Sequence, residues 1–126
     1  MHPHTTHTHR HTLTPRYGNL VANVVAGLCG GYGVVPGGNV GAGAAVFEQG
    51  ARHVARDQAG KGTANPTAML LSASMMMRHM SFHSFSSRLE NAVLKVYSDG
   101  QAALLTPDVG GTGTTLTFTD AVIKNL

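Results

Sequence analysis

Eight of the seventeen residues from Gly27 to Gly43 are glycine, and this run limits what the chain can fold into more than any other feature. Glycine loses more conformational freedom on folding than any other residue, so such a stretch holds neither a long helix nor a central strand. It predicts turns, short strands and close backbone approaches. Upstream, Leu20, Val24, Val25 and Leu28 recur at helical spacing, which predicts a short helix from near Tyr17 that ends at Gly30-Gly31. Downstream, Val34-Val35 and Ala44-Ala45-Val46-Phe47 read as short strands joined by a turn at Pro36-Gly37-Gly38-Asn39. The apolar stretch from Leu20 to Val35 contains Asn23 and several glycines and falls short of the roughly 20 residues a membrane span needs. Burial in a soluble core is expected for it.

The second half reads as helical. Asn65 is a good N-cap and Pro66 suits a first helical position, where its missing N–H would have no partner. Met69, Ala73, Met76, Met77 and Met80 then share one face, which predicts core packing rather than a cofactor box. A second helix carries Phe85, Leu89, Val93 and Val96 and stops at Gly100. A last helix is expected near Thr117, with Asp120 three residues on as a capping-box-like pair. His79 and His83 stand one turn apart like metal ligands, but they straddle the expected helix junction with no third ligand near in sequence. The single cysteine, Cys29, leaves no disulfide framework and reads as a small buried hydrophobe. The fold class is α/β.

Charge is scarce. The six acids are Glu48, Asp57, Glu90, Asp99, Asp108 and Asp120, so the first 47 residues carry no carboxylate. Two of the nine cations, Arg10 and Arg16, lie in the opening segment MHPHTTHTHRHTLTPR, and the remainder is nearly neutral. Nucleic-acid binding, which needs clustered Lys and Arg, is not expected. Residues 1–16, rich in His and Thr, read as a disordered low-complexity tail and show neither the apolar core of a signal peptide nor a clear transit-peptide pattern. Phosphate-loop patterns fail: Gly41-Ala42-Gly43 runs into a strand, and Gly60-Lys61-Gly62-Thr63 lacks the hydroxyl residue directly after Lys61.

Larger motifs are more specific. YGNLVANVV from Tyr17, GGYGVVP from Gly30, GGNVGA from Gly37, VFEQGARH from Val46, AGKGTANPTAMLLSASMMMRHM from Ala59 and TPDVGGTGTT from Thr106 occur in the order found in the metal-dependent β-decarboxylating dehydrogenases. From Tyr17 to Leu126 the chain resembles the C-terminal third of an NAD-dependent isocitrate dehydrogenase subunit, most of all the regulatory subunits of plants and green algae. The resemblance implies the C-terminal part of an isocitrate/isopropylmalate dehydrogenase-like, non-Rossmann fold over residues 17–126. It implies a hetero-oligomer with catalytic subunits in the mitochondrial matrix, where isocitrate is oxidised to 2-oxoglutarate and carbon dioxide with NAD and Mg²⁺ or Mn²⁺.

Catalytic subunits of this family carry two aspartates one helical turn apart that help hold the metal; here Asn19 and Asn23 match them. Amides in place of carboxylates remove most of the attraction for a hard cation. The resemblance therefore implies a regulatory, non-catalytic subunit with no metal site of its own and no catalytic residue, and the family's substrate-binding arginines and its catalytic Tyr and Lys match nothing in this chain. In the nucleotide loop, Asp57 and Asn65 match family positions, Arg52 falls where an adenine-contacting His is expected, and His53 is displaced by one. His53, Asp57 and Asn65 are the candidate residues for NAD or a regulatory adenine nucleotide. The alternative is a loop that retains these residues without useful affinity. A catalytic dehydrogenase that tolerates asparagine, and a fragment with no function of its own, remain the rival assignments.

Overall fold

The computed structural model describes residues 15–51 and 53–126, the side chains of Pro15, Arg16 and Asn19 excepted. Most of the expected tail, with its five histidines, lies outside the described residues, while Pro15 and Arg16 open the first helix. In chain order the elements are α1 (Pro15–Cys29), β1 (Pro36–Val40), β2 (Ala45–Gln49), α2 (Thr67–His79), α3 (His83–Asp99) and α4 (Thr115–Asn125), with single 3-10 turns at Arg56–Gln58 and Pro107–Val109. This is an α/β arrangement in which a two-stranded antiparallel hairpin lies on α2, and α2, α3 and α4 pack in sequence.

Helix α1 ends where its glycines permit. Gly30 has φ 114°, a conformation that side-chain-bearing residues rarely adopt, and the Gly31 N–H reaches back to the Ala26 carbonyl at 2.7 Å to close the last turn. Its apolar row is not buried as expected. Val24 is 65% and Leu28 83% exposed, Cys29, expected to be buried, is exposed as well, and among the described residues only Ala26 of this helix is buried. The helical period marks which residues share a face, but among the described residues no other element lies against that face.

The expected turn at Pro36-Gly37-Gly38-Asn39 is instead strand β1. Its register against β2 runs from Pro36 opposite Gln49 to Val40 opposite Ala45, and the reversal falls at Gly41–Ala44, closed by the Gly41 N–H on the Ala44 carbonyl at 2.9 Å. Turn chemistry lost here to packing. A Cβ on Gly37 would sit 3.0 Å from the Gly50 backbone, and one on Gly38 would sit 3.1 Å from the Phe47 ring and 3.5 Å from the Met75 methyl. The glycines let the hairpin lie close upon itself and upon α2, and Pro36 takes the first position of the strand, where no ladder N–H is required. Ser72 of α2 clamps the hairpin, its hydroxyl oxygen 2.6 Å from the Glu48 carbonyl and 3.4 Å from the Gly37 N–H.

The methionine face of α2 points outward, contrary to expectation: Met69 is 54% exposed, and Met76 and Met80 are also exposed. The buried side carries Thr67, Ala68, Ser72 and Ser74. Small residues win that side because the neighbouring backbones come close; Ser74 Oγ lies 2.9 Å from Ser86 Oγ of α3 and donates to the Ser86 carbonyl at 3.0 Å. For the same reason Phe85, expected inside, is exposed next to the buried Ser86 and meets Phe82 edge-on at the surface. His79 and His83 do flank the α2–α3 junction, and the His79 ring lies 5.6 Å from that of Phe47.

The apolar core is the α3–α4 seam, formed by Ala92, Val93, Val96, Phe118, Ala121 and Val122, with Leu70, Leu71, Leu89, Tyr97, Leu104 and Leu105 packed around it. Helix α3 stops at Gly100, which has φ 62°, as predicted. Helix α4 begins two residues before the expected start. Thr114 is its cap, accepting from the Thr117 N–H at 3.1 Å, while Thr117 Oγ1 accepts from the Thr114 N–H at 2.8 Å. The reciprocal pair is thus Thr114–Thr117 rather than Thr117–Asp120.

Candidate functional site: a cleft beside the N-terminus of α2

Asn65 stands one residue before the cap of α2, which is Pro66 rather than Asn65 as expected, and the helix proper begins at Thr67. Its Oδ1 still accepts from the Thr67 N–H at 3.0 Å, and the Leu70 N–H bonds the Pro66 carbonyl at 3.0 Å. This places the Asn65 amide in a cleft of about 350 Å³, a volume suited to a small organic ligand. The walls include Tyr32, Gln49, His53, Gln58, Thr63, Met69, Pro107 and Asp108. They come from the loop after α1, the end of β2, the segment between β2 and α2, the first turn of α2, and the 3-10 turn before α4.

Each wall is fixed by a local interaction. The Tyr32 and His53 rings stack with centroids 4.3 Å apart and planes 30° from parallel. His53 Nδ1 accepts from the Ala55 N–H at 3.0 Å, so a neutral ring carries its proton on Nε2. Ala55 has φ 42°, the left-handed conformation that bends this segment back. Gln49 spends Oε1 on the Ala51 N–H at 2.7 Å and Nε2 on the His53 carbonyl at 3.2 Å. On the far wall, Thr63 donates to Gln58 Oε1 at 2.6 Å. Asn65 Nδ2 donates to Asp108 Oδ2 at 3.1 Å and to the Tyr97 hydroxyl at 3.2 Å. Gly33 leaves the room for that pair, since a Cβ there would stand 2.8 Å from Asp108 Oδ2 and 2.9 Å from Asn65 Cβ.

The structure therefore brings His53 and Asn65 to one cleft and leaves Asp57 off its lining. Asp57 is exposed and accepts from Gln58 Nε2 at 3.3 Å, which makes it a support for a wall residue. Arg52 lies outside the described residues. Asn19 and Asn23 both belong to α1; Asn23 is exposed and lies beside Ala26, Tyr32 and His53 at a neighbouring surface depression. Sequence reasoning missed Tyr32, Tyr97 and Asp108 as parts of the site. Tyr97 follows Val93 by one helical turn and reads as core, while Asp108 stands 43 positions from Asn65, a separation no local pattern connects.

A family model for isocitrate/isopropylmalate dehydrogenase matches residues 13–123. The chain belongs to the isocitrate/isopropylmalate dehydrogenase family. It is 55% identical over 118 residues to isocitrate dehydrogenase [NAD] regulatory subunit 1, mitochondrial, of Arabidopsis thaliana, a match covering 90% of this chain and 32% of the relative. A mitochondrial regulatory subunit from Dictyostelium discoideum is 48% identical, covering 88% of this chain and 30% of that relative. The human mitochondrial beta subunit is 50% identical, over 87% of this chain and 28% of that one. Among solved structures, isocitrate dehydrogenase from Methylococcus capsulatus superposes with a TM-score of 0.79 at 37% identity, over 86% of this chain and 32% of that one.

The chain thus spans about a third of the length of its isocitrate dehydrogenase relatives. The two strands and four α-helices of the described residues are an α/β portion of the isocitrate/isopropylmalate dehydrogenase fold. Among the described residues no helix is long and apolar enough to cross a membrane.

Proposed function

We propose that this chain is a regulatory-type part of a mitochondrial NAD-dependent isocitrate dehydrogenase, acting in the matrix through assembly with catalytic subunits. The whole enzyme would oxidise isocitrate to 2-oxoglutarate and carbon dioxide in the tricarboxylic acid cycle. The regulatory assignment is carried by the pair Asn19 and Asn23, one turn apart on α1, at positions where the family resemblance implies carboxylates in catalytic subunits. An amide oxygen can contact Mg²⁺ or Mn²⁺, but it brings no charge to offset the loss of the ion's hydration. That donor set does not fit a resident divalent ion, and no metal-dependent step is assigned to this chain.

The cleft's lining supports reading it as a site for an adenine nucleotide, either NAD or a regulatory ligand. Tyr32 and His53 supply aromatic surface, and Asn65 and Asp108 supply polar groups that can orient a base. Asp57 acts one residue removed, by holding Gln58. NAD supplies a hydride acceptor in the complete enzyme; the residues of this cleft would contribute binding and orientation only.

Two measurements test the assignment. Without a catalytic partner the protein is expected to show no Mg²⁺-dependent isocitrate oxidation, and it is expected to co-purify with a catalytic subunit of the family; turnover alone would overturn the regulatory reading. In Mn²⁺ titrations the Asn19→Asp, Asn23→Asp double variant is expected to bind the ion at least about tenfold more tightly than the parent, from the two charges added to the ligand set. Equal Mn²⁺ affinities would remove the argument from the amides.

A further inference from the structure

Helices α2 and α3 are joined by three residues, Met80, Ser81 and Phe82, and the serine among them is exposed. Ser81 takes φ 67°, and its N–H bonds the Arg78 carbonyl at 3.1 Å, so the hydroxyl-bearing residue and the arginine belong to one turn. Ser72, Ser74 and Ser86, by contrast, are buried, and Ser72 and Ser74 spend their hydroxyls inside the fold.

Arg78-His79-Met80-Ser81 is the one place in the sequence where an arginine stands three residues before a serine or threonine. An arginine at a fixed offset from a hydroxyl is a charge pattern by which basophilic protein kinases choose an acceptor, its planar fork pairing with carboxylates of the kinase. Ser84 and Ser87, equally exposed, have serines at that offset. Ser98 has Lys95 there, a cation without the fork, and lies in the last turn of α3. Arg78 pairs with Glu90 at the surface, the two side chains 52% and 39% exposed. Such a pair is worth at most about 1 kcal/mol, so the guanidinium is free to change partners.

The same junction is the weakly tied end of α3. No side chain caps this helix, and its first turn contains no acid. The N–H groups of His83, Ser84 and Phe85 precede the first bond of the helix, from the Ser86 N–H to the Phe82 carbonyl at 3.0 Å, at an end that favours negative charge. A phosphate one residue before the Phe82 cap would supply acceptors and charge there together, with Arg78 as counterion.

We propose that Ser81 is a phosphorylation site for a protein kinase that reads Arg78, and that the phosphoserine caps α3. In the transfer the bond from Ser81 Oγ to the γ-phosphorus of ATP forms as the bond from that phosphorus to the bridging oxygen breaks; ADP leaves, and the hydroxyl proton passes to the base of the kinase. Ser81 lies outside the cleft lining, so failure here leaves the nucleotide and regulatory readings untouched.

The test is incubation of the full chain with ATP, Mg²⁺ and a basophilic protein kinase that requires arginine three positions before its acceptor, the site being mapped by mass spectrometry. A single phosphate on Ser81 is expected, and Ser81→Ala should lose it. Arg78→Gln should slow the initial rate at least about tenfold, the worth of one charge-assisted contact. Glu90→Gln breaks the same ion pair but keeps the arginine, so it should be modified at least as fast as the parent. Equal slowing in both variants would make the ion pair, not the arginine, the determinant, and overturns the proposal. No incorporation into the parent, or a phosphate placed first on Ser84, Ser87 or Ser98, overturns it as well. The phosphorylated chain is expected to melt roughly 3 °C above the unmodified one, the shift that a favourable charge at a helix N-terminus gives in a domain of this size; an unchanged or lower Tm overturns the capping role.

Discussion

Alanine at Gly111 is expected to destabilise the protein by about 3 kcal/mol or more, as seen in urea unfolding, because the new methyl group has nowhere to go. A Cβ there would lie 2.0 Å from the Leu105 carbonyl oxygen and 2.3 Å from its carbonyl carbon, both of them backbone. The chain folds tightly back on itself at this place: the Gly111 N–H bonds the Thr106 carbonyl at 3.0 Å, Thr112 N–H the Ala102 carbonyl at 2.8 Å, and Gly113 N–H the Leu105 carbonyl at 2.7 Å. Asp108 stands inside that loop and lines the cleft, so the same substitution is expected to weaken the proposed nucleotide binding. Gly27→Ala gives the contrast. Its added Cβ meets nothing within 4 Å and lies in α1, where removing glycine from a helix should stabilise by about 0.5–1 kcal/mol. Equal effects at the two glycines would mean that close backbone packing is not what Gly111 provides.

Phe118→Ala should cost about 3–5 kcal/mol, the usual range for emptying an aromatic site in a close-packed core. Phe118 is fully buried in the α3–α4 seam among Val93, Val96 and Val122. The neighbouring Ile123 is 60% exposed, and its replacement by alanine should move stability by less than about 0.5 kcal/mol. The comparison separates loss of the seam from loss of helix propensity, since both positions lie on α4.

What the sequence made legible was what local chemistry determines. Gly30 and Gly100 stop helices because they supply backbone angles other residues resist, Asn65 with Pro66 starts one, and Val93 and Val96 fall at core spacing. The errors share a cause. Periodicity identifies residues on a common face without saying what lies opposite, and the faces of α1 and of the α2 methionines have no partner among the described residues. The buried side of α2 was hidden by its composition, since Ala68, Ser72 and Ser74 attract no notice in a hydrophobicity pattern although their smallness lets α2 approach the hairpin and α3. Pro36-Gly37-Gly38-Asn39 carries strong turn signals and forms a strand because Phe47 and Met75 need its empty positions. In the cleft, His53 and Asn65 were found through motifs close in sequence, whereas Tyr97 and Asp108 join Asn65 only through tertiary folding.

The outward apolar faces also have a thermodynamic signature. Heat capacity rises on unfolding in proportion to the apolar surface newly given to water, normally about 1.2–1.5 kcal/mol/K per 100 residues. Leu20, Val24 and Leu28 of α1, with Met69, Met76, Met80, Phe82 and Phe85 around the α2–α3 junction, already meet water in the folded chain. Calorimetry of the chain by itself should therefore give a heat-capacity increment per residue below that norm, and a correspondingly flat stability curve. The missing increment should reappear in the binding heat capacity of whatever partner covers those faces.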